Sequence, residues 1–148
     1  MLMPLKFDDK KKSSIDLWSL WQFLLRLQVD YQAEYKTRPF FIVEDPGHHA
    51  PSAAGLRSMT YSFSSVESLI VSCGFKYHTV VSRTWQKEFW TKPSKQSSEK
   101  YDTKKEALKA AQSIWPNMDF RKNDRSRIAH DGIVDACLLA EYGRRKEI

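Results

Sequence analysis

Residues 40–49 read FFIVEDPGHH, a β-prone apolar run that ends in two acids, a Pro-Gly pair and two histidines. Apolar side chains on both faces of FFIVE are what a strand in the middle of a sheet carries. Neighbours in a strand point to opposite faces, so Glu44 shares a face with Phe40 and Ile42, and Asp45 with Phe41 and Val43. Only one of the two acids can point into a given site. Ligands of α/β sheets usually bind beyond the carboxyl ends of the strands, which is where both acids fall.

Outward from this run, the pattern alternates. Upstream, Ile15, Trp18, Leu24 and Leu25 recur at helical spacing, so the chain from Ile15 to Leu27 is expected to be a helix with Ser13 or Ser14 as its cap. Pro39 stops whatever follows that helix. Residues 2–7 read as a short strand, and DDKKKSS after them as a polar connection in which Lys10, Lys11 and Lys12 form a solvated charge cluster. Downstream, residues 45–57 read as loop, and Met59, Phe63, Val66, Ile70 and Cys73 mark a second helix from Ser58 that Gly74 ends. FKYHTVV, residues 75–81, reads as the next strand, and residues 91–102 as a polar loop. A helix over 103–114 stops at Trp115-Pro116, RKNDRSR makes a basic connection, and a last helix covers roughly 129–143. This order predicts an α/β layer structure in a single domain spanning 1–148.

Composition narrows the class of partner. The 148 residues carry 24 Lys and Arg against 18 Asp and Glu, a formal charge of +6 that favours polyanions. The two cysteines, Cys73 and Cys137, sit among apolar residues and read as buried thiols of a reducing compartment. No run approaches the roughly 20 apolar residues of a membrane span. MLMPLKFDDKKK lacks a signal-peptide core, so no membrane association and a cytoplasmic location are expected.

The last helix, HDGIVDACLLAEYGRR, sets Asp131 and Asp135 at i and i+4 on one face. Leu138 and Tyr142 project onto that same face, so the acids continue an apolar stripe. Two carboxylates there repel one another and lose hydration unless something positive sits between them, and a divalent cation would serve. Ordinary readings stand beside this one. Asp131 before Gly132 is a plausible N-cap, Asp135 a first-turn acid favoured by the helix dipole, and Glu44 the partner of an arginine. His48, His49 and His130 show no metal-ligand spacing among themselves. Trp85, Phe89 and Trp90 fit a core or a lid more readily than a base-stacking platform.

Taken together, these segments resemble the RuvC-type Holliday-junction resolvases, above all the small phage-encoded ones, which share an RNase H-like fold. MPLKFDDKKKSSIDLWSL is similar to the stretch after the family's third strand and into its first helix. FIVEDPGHHAPSAAGLRSMTYSF resembles the strand with the second catalytic acid, and VVSRTWQKEF the next strand with its Trp. DTKKEALKAAQSIWP and HDGIVDACLLAEYGRR resemble the closing helices with the final acidic motif.

The resemblance implies that Glu44 is the second catalytic carboxylate and that Asp131 and Asp135 are the final acidic pair. That pair is often three apart in the wider family and four apart here, so Asp135 is the firmer assignment, and Asp131 or His130 completes the site. Carboxylates of this kind hold two Mg²⁺ or Mn²⁺ ions about 4 Å apart, which activate water and stabilise the leaving 3′ oxygen of a phosphodiester. Trp85 and Lys87 fall in a segment similar to a DNA-facing one, and Arg121, Lys122, Arg125 and Arg127 would bind phosphates without reading sequence. The implied partners are branched or four-way-junction DNA and a second copy of the chain, because junction cutting needs two symmetric sites.

One departure qualifies the match. The family's first strand, ending in its first catalytic aspartate, and its second strand have no counterpart, so the resemblance implies an RNase H-like fold incomplete at its N-terminal side. Asp8 and Asp9 lie in a connection and substitute poorly for that aspartate. EDPG tempts an assignment of Asp45 as the first aspartate, but a helix precedes this strand and another follows its loop, where a first strand would lead into a hairpin. Two functions are therefore expected: a metal-dependent endonuclease of branched DNA, or a non-catalytic branched-DNA binder.

Overall fold

A computed structural model describes residues 3–7, 13–47, 52–91 and 101–148. Asp8, Asp9, the Lys10–Lys12 cluster, His48, His49 and most of the polar loop expected over 91–102 lie outside the described residues. The described chain is mixed α/β, with five helices and two two-stranded sheets. It divides into two compact units, Met3–Thr79 and Val80–Ile148. No described helix is long and apolar enough to cross a membrane.

The first unit opens on a hairpin. Strand β1 (Leu5–Phe7) pairs antiparallel with β2 (Ser13–Ile15), with Leu5 opposite Ile15 and Phe7 opposite Ser13. Ser13 and Ser14 therefore belong to a strand and do not cap the helix that follows. Asp16 caps it instead: Oδ1 accepts from the Ser19 amide at 3.2 Å, and the Ser19 hydroxyl donates to Oδ2 at 2.7 Å. That hydroxyl and amide together hold the Asp16 carboxyl below its ordinary pKa. Helix α1 (Leu17–Tyr35) runs eight residues beyond the expected Leu27. Its apolar periodicity fades after Leu27, but Gln28, Gln32, Ala33 and Glu34 are good helix formers, and intrinsic propensity carries the helix on.

Strand β3 (Phe40–Asp45) then pairs with β4 (Lys76–Val81), and helix α2 (Ala53–Ser72) connects them. Helix α2 starts five residues before the expected Ser58, because the Ser52 side chain accepts from the Gly55 amide at 3.0 Å and the small residues after it propagate the turn. Its end is a Schellman motif. Gly74, at φ +72°, donates to Val71 O, and Phe75 donates to Ile70 O at 3.1 Å. Ile70 and Phe75 enter the core of this unit together with Leu20, Leu24 and Cys73.

The second unit is helical. Beyond β4, which crosses the division, come α3 (Ser82–Gln86), α4 (Thr103–Ile114) and α5 (Asp131–Arg145). Helix α4 packs on α5, and its buried Ala107 and Ala111 let that helix approach closely. Val134, Leu138, Leu139 and Tyr142 form the buried stripe of α5. Around Trp85 an aromatic cluster closes the other part of this core, with Trp90 edge-on at 5.8 Å and Phe89 at 6.3 Å between ring centroids. Arg145 lies over the Phe89 ring at 5.0 Å, and Lys146 pairs with Glu88 at 2.7 Å, so both ends of this cluster are tied to the end of α5.

Candidate functional site

The N-terminal ends of α4 and α5 border one cavity of about 280 Å³. Asp102, the α4 cap, accepts from the amides of Lys104 at 3.0 Å and Lys105 at 3.3 Å. Helix N-termini carry partial positive charge, and Asp131 in the first turn of α5 complements it. Asp131 and Asp135 both line the cavity, together with Asp102, Lys104 and Val134.

The two acids occupy the expected face. Leu138 is fully buried and Tyr142 nearly so, Asp135 one turn before Leu138 is half-buried, and the Asp131 side chain is 53% exposed. The apolar stripe thus grades into acid toward the helix start. A positive charge sits beside the pair as an ammonium: Lys104 Nζ donates to Asp131 Oδ2 in an exposed salt bridge. The hydrogen bond to Asp131 comes first among the causes that raise the Lys104 pKa, and the charges of Asp131, Asp102 and Asp135 add to it.

Asp131 is the first helical residue of α5 and not its N-cap. His130 holds the cap position without any side-chain capping bond, and its backbone amide donates to Phe120 O at 2.8 Å. Its imidazole lies over Gly132, where a Cβ would come within 3.2 Å of Cε1. Nδ1 is buried without a hydrogen-bond partner among the described residues, and His130 does not line the cavity beside Asp131. Of the two residues expected to accompany Asp135, the structure places Asp131 there.

Glu44 belongs to the first unit and is the last residue but one of β3, half-buried beside a separate apolar cavity. Asp45 is committed elsewhere. Its Oδ1 accepts from the Gly47 amide at 2.7 Å and fixes the turn that Gly47 makes at φ +71°. The turn therefore separates two acids that look alike in sequence: Asp45 shapes the loop, and Glu44 remains as the candidate.

The basic candidates also differ from one another. Arg121 grips Asp119 through two parallel bonds of 2.9 and 2.7 Å, which hold the Asp119 carboxyl at a pKa of about 2. Lys87, Lys122, Arg125 and Arg127 are exposed. Trp85 is 1% exposed and has no free face for a base, so it acts as the core of its segment and not as a DNA-stacking surface.

Lys104 is the site residue that the sequence pattern did not single out. A signal was available: a lysine in the first turn of a helix opposes the dipole and needs an acid nearby. Away from this cavity, Glu141 is 7% exposed between Arg144 and Arg145. Its hydrogen bonds to those arginines, at 2.6 to 2.9 Å, pull its pKa down to about 2.

Comparison with known protein families finds no family model that matches the chain, and comparison with curated proteins finds no match either.

Proposed function

We propose that the chain is a metal-dependent, structure-specific endonuclease of branched DNA, a RuvC-like protein with an RNase H-like fold. The observation that supports this reading most is the convergence of Asp131 and Asp135 on one cavity. The donor chemistry suits Mg²⁺ or Mn²⁺. All donors are carboxylate oxygens, and a cation that keeps several waters can be held by one or two of them. Among the described residues no three His, Cys, Asp or Glu are grouped to enclose an ion, so the remaining positions would fall to water and phosphate oxygens. Asp131 and Asp135 are assigned to this role, with Glu44 as the carboxylate of the first unit. When bound, the two ions implied for this family would activate water and stabilise the leaving oxygen.

The chain's own residues have separate tasks in this reading. Lys104 offsets the charge of Asp131 and, once released from it, can contact a phosphate. The exposed Lys87, Lys122, Arg125 and Arg127 bind backbone phosphates, which makes affinity steeply salt-dependent. Two copies of the chain cut opposite strands of the junction. Mg²⁺-dependent nicking of a labelled four-way junction, absent from linear duplex of the same sequence, tests the proposal. Equal cutting of both substrates would refute structure specificity, and no cutting with any divalent ion would refute the enzyme.

The Lys104–Asp131 pair supports a second reading, in which an ammonium satisfies the acids and the chain binds branched DNA without cutting it. Salt-sensitive junction binding without turnover would select that reading.

A further inference from the structure

Between α4 and α5 the chain doubles back on itself. Arg121 and Ala129 form an antiparallel bridge, and the His130 amide donates to Phe120 O at 2.8 Å, so residues 121–129 make a short hairpin loop. Its base is anchored: Phe120 is 4% exposed against the Trp115 ring, and Arg121 is held by Asp119. Asn123 closes the tip. Its Oδ1 accepts from the Arg125 amide and from the Ser126 hydroxyl, each at 3.1 Å, and the Ser126 amide donates to Asn123 O at 3.0 Å. A loop braced in this way loses little freedom on binding.

The loop carries charge at its tip and an isoleucine at its foot. Lys122, Arg125 and Arg127 are exposed there, against one acid, Asp124. Ile128 follows them, 79% exposed, three residues before Asp131. Neighbours in extended chain point apart, and with Ala129 partly buried Ile128 turns outward. A single exposed isoleucine needs no explanation by itself. Its place is what is specific: Ile128 borders the same cavity as Asp131 and Asp135, and in the chain it stands between the basic tip and those acids.

We infer that Ile128 is a wedge that enters the interrupted base stack at the branch point of a DNA junction, while Lys122, Arg125 and Arg127 hold the phosphates beside it. The inference rests on the branched-DNA reading of this cavity and adds the feature by which branched DNA is told from linear. Architectural proteins insert apolar side chains between base steps in this manner. Burying one isoleucine recovers free energy comparable with the cost of opening one step, so Ile128 has no surplus with which to enter a continuous duplex. At a branch the stack is already interrupted, and the same insertion is favourable. Phosphate contacts alone make no such distinction, because a linear duplex presents the same charge.

A four-way junction with 2-aminopurine beside the branch point, and a linear duplex of the same sequence, are titrated with the full chain without divalent ions. Fluorescence of the junction rises about threefold on binding, as a base that loses its stacked neighbour requires, and the linear duplex gives no rise. Ile128→Ser binds the junction within about threefold of the native affinity, because phosphate contacts carry most of it, but gives no rise. Ile128→Met restores the rise, and unchanged circular dichroism shows that both variants are folded. A rise that survives Ile128→Ser overturns the inference, as does junction binding by the native chain without a rise. An equal rise on the linear duplex also overturns it. Loss of junction and duplex binding together in Ile128→Ser overturns it too, as the mark of a disturbed loop. All four outcomes leave the nuclease reading standing, whereas a native chain that neither binds nor nicks the junction would overturn that reading and the wedge with it.

Discussion

Lys104 and Glu141 show how single charges are settled in this chain. Lys104 holds Asp131 at the surface, where an exposed pair is weak and easily exchanged. Lys104→Met is therefore expected to tighten Mn²⁺ binding at the acid pair by about two- to fivefold, read by electron paramagnetic resonance titration; unchanged or weaker binding would show that the ammonium does not compete. Glu141 is the opposite case, buried between two arginines with a folded pKa of about 2 against an ordinary 4.5. Because the pKa is depressed on folding, its contribution is complete above pH 4.5 and is lost as the pH falls toward 2. Glu141→Gln should lower urea stability at pH 7 by roughly 1–3 kcal/mol. The difference from the native chain should shrink as the pH falls from 4.5 toward 2, and a deficit that is constant with pH would mean lost packing instead.

Elements are fixed here by their ends. Gly74 closes α2 at a positive φ, and a Cβ there would meet Arg38 Nη1 at 3.2 Å while that guanidinium donates to Gly74 O. Gly74→Ala should cost about 1–2 kcal/mol, measured by thermal unfolding. Among the described residues no atom lies within 4 Å of a Cβ built at Gly47, so Gly47→Asn, a residue that tolerates positive φ, should cost less. Sequence shows such ends where the signals are local. Asp102 and Pro116 bracket α4, and its expected bounds, 103–114, coincide with the helix. The hairpin was illegible past β1 because Ser13 and Ser14 resemble a cap more than a strand. Likewise Gly55 and the alanines before it resemble a loop, although Ser52 nucleates a helix through them.

Across the whole molecule, the placement of the candidate acids was legible where it depends on one helix face, and contacts between distant residues were hidden. The shared face of Asp131, Asp135, Leu138 and Tyr142 follows from helical spacing alone. The Lys104–Asp131 pair joins two helices across 27 residues, and no local pattern records it. The sequence left Trp85 between a core or lid aromatic and a DNA-facing residue of the segment it resembles, and its burial overturns the DNA-facing assignment. Trp85→Ala should therefore destabilise the protein by about 3–5 kcal/mol by thermal unfolding, where a surface stacking residue would leave stability unchanged. The surplus of positive charge belongs to this scale as well. Junction affinity should fall by orders of magnitude between 50 and 200 mM salt if six or more phosphates are neutralised, and a shallow slope in a filter-binding titration would argue against a backbone-binding surface.

The central claim is that Glu44 and the acids of α5 support metal-dependent cleavage. Its most direct measurement is the single-turnover rate of four-way-junction nicking against Mg²⁺ concentration, for the unaltered chain, Glu44→Gln and Asp135→Asn, with junction binding measured in parallel. The result expected is Mg²⁺-dependent nicking by the unaltered chain that falls at least a hundredfold in both variants while binding is retained. Nicking that persists in both variants, or that is independent of Mg²⁺, would contradict the claim.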